Sequence, residues 1–181
     1  MLDASLTHWI NGFSGSHPLF DVVVATFGSV AVPPMVIFTA LHWWFPERDA
    51  RQRHMALAAG ATFLLGQAIN QTVLLFVHRP RPYLDGVSHL VIPPSADWSF
   101  PSDHASAATG IALAFLLHGY LGRGSGLMAV ALLVCLARVW VGTHYVGDTL
   151  GGIATALVAA LVVKAAFRPG TRLDTALTSL F

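Results

Sequence analysis

Charged side chains are scarce in this chain. Lysine, arginine, aspartate and glutamate together make up 10% of its 181 residues, against about 25% in an ordinary soluble domain. So small a supply cannot solvate the surface of a globule of this size. That excludes a soluble helical domain and leaves an integral membrane protein, in line with 55% apolar residues and a mean hydropathy of +0.64. Cysteine is almost absent. Cys135 is single, so no intramolecular disulfide can form, and its apolar surroundings suit packing. The first seventeen residues hold no lysine or arginine and the long apolar run begins near Leu19, so no cleavable signal is expected. The net charge of +1 comes without an arginine-rich stripe or interleaved aromatics, which leaves no footprint for nucleic acid. Internal repeats and low-complexity tracts are missing too.

What the chain does have is apolar runs. A spanning helix needs about 20 mostly apolar residues. Five segments qualify: Leu19–Phe45, Met55–Val77, Ala105–Leu121, Leu127–Val141 and Val146–Phe167. The expected fold is therefore an all-α integral membrane bundle of about five transmembrane helices, forming a single domain over residues 1–181. Pro33-Pro34 predicts a kink in the first segment, where neighbouring helices can satisfy the freed carbonyls. Ahead of it, Leu2, Leu6, Trp9, Ile10 and Phe13 fall at helical spacing, which predicts a short interfacial helix. Small residues recur every fourth position at Ser106, Gly110 and Ala114, and again at Gly147, Gly151, Thr155 and Ala159. This is chance spacing in an Ala/Gly-rich chain, or a close contact between the third and fifth segments.

The few basic residues orient the bundle. If the five segments alternate, Arg48, Arg51, Arg53, Arg123, Lys164, Arg168 and Arg172 share one side, and only Arg79, Arg81 and Arg138 share the other. The excess of positive charge marks the cytoplasmic side. Arginines held on the outer side against that preference are better explained by a ligand.

Those three arginines accompany the most polar clusters. Pro101-Ser102-Asp103-His104 precedes an apolar run and reads as a helix start. Ser102 or Asp103 would cap it, or its free backbone N–H groups would hold a phosphate. His104, just inside the helix, can donate a proton near neutral pH. His144 and Asp148 are four apart and share a helix face. They are a polar pair at a helix start, or a histidine nucleophile with an orienting carboxylate. Arg138 needs an anion if buried, and its planar fork matches phosphate oxygens. Arg79 and Arg81 alternate with prolines that hold them extended. Arg81 is assigned to phosphate, and Arg79 to snorkelling at the interface or an accessory role. His104, His144, Asp148 and Asp103 could collect a cation, but their spacing is loose and the arginines would repel one.

These residues resemble the type-2 phosphatidic acid phosphatases, integral membrane enzymes that share an active site with vanadium haloperoxidases. That family carries Lys, six residues, Arg-Pro; then Pro-Ser-Gly-His; then Ser-Arg, five residues, His, three residues, Asp. Here the motifs are Arg81-Pro82, Pro101-Ser102-Asp103-His104, and Ala137-Arg138, five residues, His144, three residues, Asp148. The departures are Leu74 for the lysine, Ala137 for the serine and Asp103 for the glycine. Asn70, a turn before Leu74, is a candidate for part of the lysine's role. The stretch from Asn70 to Gly152 is similar to the bacitracin-resistance type of undecaprenyl pyrophosphate phosphatase, a subgroup in which that lysine also tends to be missing. The resemblance implies that His144 attacks phosphorus to give a phosphohistidine. Asp148 would orient His144, and His104 would protonate the leaving group. Arg81, Ser102, Arg138 and backbone groups near Asp103 would hold the phosphoryl oxygens. It implies no metal or other cofactor, a polyprenyl or phospholipid phosphate as partner, and a site on the outer face of a bacterial cytoplasmic membrane. Other lipid phosphates, phosphotransfer to a second lipid, and a non-catalytic lipid binder or transporter remain as alternatives; oligomeric state is open.

Overall fold

The computed structural model describes residues 2–44 and 49–179, and every regular element among them is helical. In chain order the helices are α1 (Leu2–Asn11), α2 (Pro18–Val30), α3 (Val32–Leu41), α4 (Ala50–Leu74), α5 (Asp103–Leu117), α6 (Leu121–Trp140), α7 (Val146–Ala166) and α8 (Arg172–Thr178). Arg48 and Phe45, used above for topology and for the end of the first segment, lie outside the described residues.

The first apolar segment is two helices. α2 and α3 meet at Ala31 with a bend of 44°. Pro33 and Pro34 follow within the first turn of α3 and have no N–H to return to the carbonyls of Ser29 and Val30, so the ladder stops there. By length and composition α6 and α7 can each cross a membrane, and the bent α2/α3 pair makes a third candidate. The other two expected spans are weaker. α4 is long but carries Arg51, Arg53 and His54 at its start and Gln67, Asn70 and Gln71 near its end. α5 has only 15 residues, about 22 Å at 1.5 Å per residue, and most of it is buried inside the bundle.

α5 is the central post, packed against α4, α6 and α7. Small residues permit this. A Cβ on Gly124 would sit 2.7 Å from Leu116, so α6 reaches α5 only because glycine stands there. That contact also explains why α6 begins at Leu121 and not at Leu127: the glycine-rich turn is held helical by packing. The α5–α7 contact is real, but its stripe is offset from the one expected. Gly152 and Ala156 face Ala105, Ser106 and Gly110, while Gly151 accommodates the ring of Phe100 and Gly147 faces Asp3 and Arg79.

Two helices attach to the ends of the bundle. α8, not anticipated from the sequence, is fastened to α4: His54 Nδ1 and Asp174 Oδ1 are 2.7 Å apart, and Arg53 Nη1 donates to the Thr178 carbonyl at 2.8 Å. α1 lies at the opposite end with its apolar side chains outward, Leu2 and Trp9 being 74% and 65% exposed. Its polar stripe of Asp3, Thr7 and Asn11 points inward. This is the reverse of a helix on a soluble protein and suits a helix lying against lipid.

Candidate active site

The site forms where α4 ends, α5 and α7 begin and α6 ends. Arg81, Asp103, His104, Arg138 and His144 line one cavity of about 110 Å³, with Leu74, Ser95, Asp97, Trp98 and Pro101 completing its wall. Local backbone chemistry puts them there. Gly142, with φ +81°, follows Val141, the C-cap of α6, so it reverses the chain and returns Thr143 to the Arg138 carbonyl. A Cβ at Gly142 would run into the backbone of His89. Arg138 and His144 are brought to one wall by this turn.

His144 is 4% exposed. Its Nδ1 lies 2.8 Å from the carbonyl oxygen of Ser99, which makes Nδ1 the donor and leaves the Nε2 lone pair toward the cavity. Arg81 Nη1 approaches that Nε2 to 3.4 Å. Burial and the guanidinium groups of Arg81 and Arg138 hold the imidazole below its ordinary pKa, against the pull of Asp148.

Asp148 pairs with His144 at ion-pair distance, as the four-residue spacing suggests, but not through a short hydrogen bond. Its Oδ2 is 3.6 Å from Nδ1. The same oxygen accepts from the Ser99 hydroxyl and from the Tyr145 N–H at 2.7 Å, and Oδ1 accepts from Arg79 Nη1 at 2.8 Å. The carboxylate therefore reaches His144 through its charge and through Ser99. Arg79 does not snorkel and does not line the cavity. It bridges Asp148 and Asp3, with its guanidinium 3.9 Å from the centre of the Tyr145 ring.

The two remaining arginines differ. Arg81 is heavily engaged: Nη2 pairs with Asp97 at 2.7 Å, Nε donates to the Asp97 carbonyl at 3.0 Å and Nη1 to the Thr143 carbonyl at 2.9 Å. Burial would raise the Asp97 carboxyl pKa, but Ser95 and Arg81 outweigh it and hold the group below the usual range. Arg138 is 7% exposed, and its Nε is buried with no partner among the described residues. A guanidinium removed from water without an acceptor is costly, and its position on the cavity wall makes an anion the fitting complement.

Ser102 and Asn70 lie off the cavity. Ser102 is the N-cap of α5, fully buried, with its hydroxyl toward Ala105 N at 3.5 Å. Asn70 Nδ2 donates to Asp103 Oδ1 at 2.8 Å and its Oδ1 accepts from Thr155 at 2.7 Å. It fixes Asp103 from off the cavity, whereas Leu74 itself stands on the wall. Sequence reasoning missed Asp97, Ser99, Asp3 and Tyr145. For Asp97 and Ser99 the one available signal was their place just before the Pro-Ser-Asp-His run in a loop otherwise poor in charge.

Polar and apolar space adjoin here. His104 and Asp103 also line a second opening of about 220 Å³, together with Ser29, Val32, Pro33, Phe63, Gln67 and Ala107. Phe63 is shared in turn with an apolar groove between α3 and α4 that includes Gly60 and Ala59. The break between α2 and α3 leaves this side of the cavity open along the bundle.

Comparison with known proteins gives consistent matches. The family described as the PAP2 superfamily matches residues 54–172. The undecaprenyl-diphosphatase BcrC of Bacillus subtilis is 32% identical over 149 residues, covering 82% of this chain and 76% of that protein. The decaprenylphosphoryl-5-phosphoribose phosphatase of Mycobacterium tuberculosis is 30% identical over 152 residues, covering 82% and 72%. The crystal structure of LpxE from Aquifex aeolicus superposes with a TM-score of 0.70 at 24% identity, covering 90% of this chain and 94% of that one; this likeness concerns the fold.

Proposed function

The chain belongs to the PAP2 superfamily and is a membrane phosphatase of that family; from that premise we propose that it hydrolyses undecaprenyl pyrophosphate to undecaprenyl phosphate through a phosphohistidine on His144. One observation carries the reaction class: a buried Arg138, its Nε without a partner among the described residues, shares a small cavity with the free Nε2 side of a buried His144. Phosphoryl transfer asks the protein mainly for positioning and charge stabilisation, and this cavity offers both.

In this reading the terminal phosphoryl group enters between Arg138 and Arg81. Nε2 of His144 attacks phosphorus, and the bond from phosphorus to the bridging oxygen breaks. His104 gives its proton to that oxygen, and the lipid monophosphate leaves. His104, now neutral, takes a proton from a water that attacks the phosphohistidine, which releases inorganic phosphate and restores both histidines. Arg81 stays paired with Asp97 and turns only its Nη1 edge to the phosphoryl group. Ser102 helps by capping α5, whose first N–H groups face the same charge.

The lipid part of the assignment is supported by the similarity to an undecaprenyl-diphosphatase and by the open groove beside His104, which suits an apolar chain. The five helical units α2/α3, α4, α5, α6 and α7 would cross the membrane, α5 shielded by its neighbours. Arg51, Arg53, Arg123, Lys164, Arg168 and Arg172 stand at the end of the bundle opposite the site, and the positive-inside preference then supports a site on the outer face. The 30% identical phosphatase of decaprenylphosphoryl-phosphoribose favours a second reading, a related lipid monophosphate as substrate. The test is phosphate release by purified protein from undecaprenyl pyrophosphate, phosphatidic acid and phosphatidylglycerophosphate, with and without EDTA. Preference for the pyrophosphate, unaffected by EDTA, is expected. Preference for a phospholipid, or dependence on metal, overturns the respective part of the reading.

A further inference from the structure

The polar stripe of α1 docks on the start of α7. Asn11 Nδ2 donates to the Trp140 and His89 carbonyls at 2.7 and 2.9 Å, which fixes the register of α1 against the end of α6. Thr7 Oγ1 accepts the Val146 N–H at 3.0 Å, and Asp3 Oδ1 accepts the Gly147 N–H at 2.8 Å. Two donors that the first turn of α7 leaves open are thus satisfied by a helix more than a hundred residues earlier in the chain. The other oxygen of Asp3 takes Arg79 Nη2 at 2.6 Å, and Arg79 Nη1 takes Asp148 Oδ1 at 2.8 Å. A Cβ on Gly147 would collide with the Asp3 carboxylate, so glycine there keeps the clamp closed.

Asp148 is fully buried. A lone carboxylate 3.6 Å from Nδ1 would favour the protonated imidazole strongly. A protonated His144 has no lone pair with which to attack. Arg79 opposes that carboxylate charge at 2.8 Å, and Asp3 in turn tempers Arg79 at 2.6 Å. From this geometry we propose that Arg79 and Asp3 are positioning residues that tune the charge of Asp148 and thereby the ionisation of His144, which makes the N-terminal helix part of the working site. The proposal rests on His144 being the nucleophile. The charged and titratable groups around His144 are Asp148 on α7, Arg138 on α6, Asp103 and His104 on α5, and Arg81 and Asp97 in the loop before α5. None of these changes in the variants below.

The sign of each effect follows. Removing Arg79 exposes His144 to the full Asp148 charge and raises its pKa. Removing the Asp3 charge leaves Arg79 less compensated and lowers it. A tether that is only structural lowers activity in both variants without moving the two profiles apart.

The experiment measures kcat and KM for undecaprenyl pyrophosphate against pH in detergent for the parent, Arg79→Gln, Arg79→Lys and Asp3→Asn. The His144 titration is followed in parallel by NMR of 13C-labelled histidine, which needs no turnover. Arg79→Gln is expected to move the acidic limb and the titration up by ~0.5 pH unit or more, with kcat on that limb reduced about threefold or more and KM little changed. Asp3→Asn moves them down, and Arg79→Lys restores most of the parental position. Should Arg79→Gln fail to fold, the downward shift in Asp3→Asn decides the matter. Coincident limbs and titrations in the folded variants, or shifts in the same direction, overturn the proposal. Normal turnover by His144→Ala would instead overturn the nucleophile assignment.

Discussion

Nδ1 of His144 is bound to the backbone carbonyl of Ser99 at 2.8 Å, and the hydroxyl of that same serine is bound to the Asp148 carboxylate. One residue thus joins the histidine to its acid. The carbonyl survives any side-chain change at position 99, so Ser99→Ala is expected to keep the tautomer and lose less than about tenfold in kcat/KM. Asp148→Asn also removes one of the two carboxylates that hold Arg79 and is expected to lose at least about a hundredfold. Equal losses in the two variants would show that the carboxylate acts through the serine hydroxyl alone.

Arg138, its Nε unpartnered among the described residues, and the engaged Arg81 both line the cavity. Lysine cannot reproduce the planar fork, and charge-assisted bidentate contacts are roughly twice as strong as neutral ones. Arg138→Lys and Arg81→Lys are each expected to lose at least about tenfold in kcat/KM, equivalent to ~1.4 kcal/mol. Leu74→Ala, on the wall but apolar, should stay within about threefold. Steady-state kinetics in detergent check this; an inactive but folded Leu74→Ala beside active lysine variants would mean that the phosphate site lies elsewhere.

His144 sits below the ordinary histidine range because it is buried between two guanidinium groups. A lowered pKa keeps the neutral, nucleophilic form as pH falls. The acidic limb of kcat/KM is therefore expected below about pH 6.5, the value for free imidazole. A limb near pH 7.5 for the parent enzyme would contradict the burial argument.

The α3–α4 groove predicts chain-length dependence. Gly60 has open space around it, so Gly60→Trp fills the groove without a clash inside the bundle. The ratio of kcat/KM for undecaprenyl pyrophosphate to that for a short, soluble prenyl pyrophosphate is expected to fall at least about tenfold. Val24→Trp, in the separate groove between α2 and α6, should leave that ratio alone. The reverse result would move the lipid chain to the α2–α6 side.

Orientation is checked by labelling. In a Cys135→Ala background, a Leu84→Cys variant should react with a membrane-impermeant thiol reagent in intact spheroplasts, and an Arg172→Cys variant should react only after lysis. Both positions are exposed, at opposite ends of the bundle. Inverted labelling would place the reaction in the cytosol.

Much of this was legible in the chain itself. Scarce charge and long apolar runs imposed a helical membrane bundle, because such a sequence cannot be solvated otherwise. Pro33-Pro34 marked the break between α2 and α3 through its missing N–H groups, and the spacing of Arg138, His144 and Asp148 is a covalent fact that no packing alters. Contacts between distant segments were not legible. Whether Arg79 meets lipid, phosphate or Asp148 depends on where α1 docks, and that is settled by hydrogen bonds from Asp3, Thr7 and Asn11 to residues more than seventy positions away. Likewise Ser99 and Asp97 acquire partners only when the long loop folds over the helix ends, and α8 is held to α4 by contacts that include the His54–Asp174 pair and the Thr178 carbonyl. Local patterning selects helices and their polar ends. The three-dimensional packing of those ends decides which acid faces which base, because electrostatic coupling follows distance through space rather than separation along the chain.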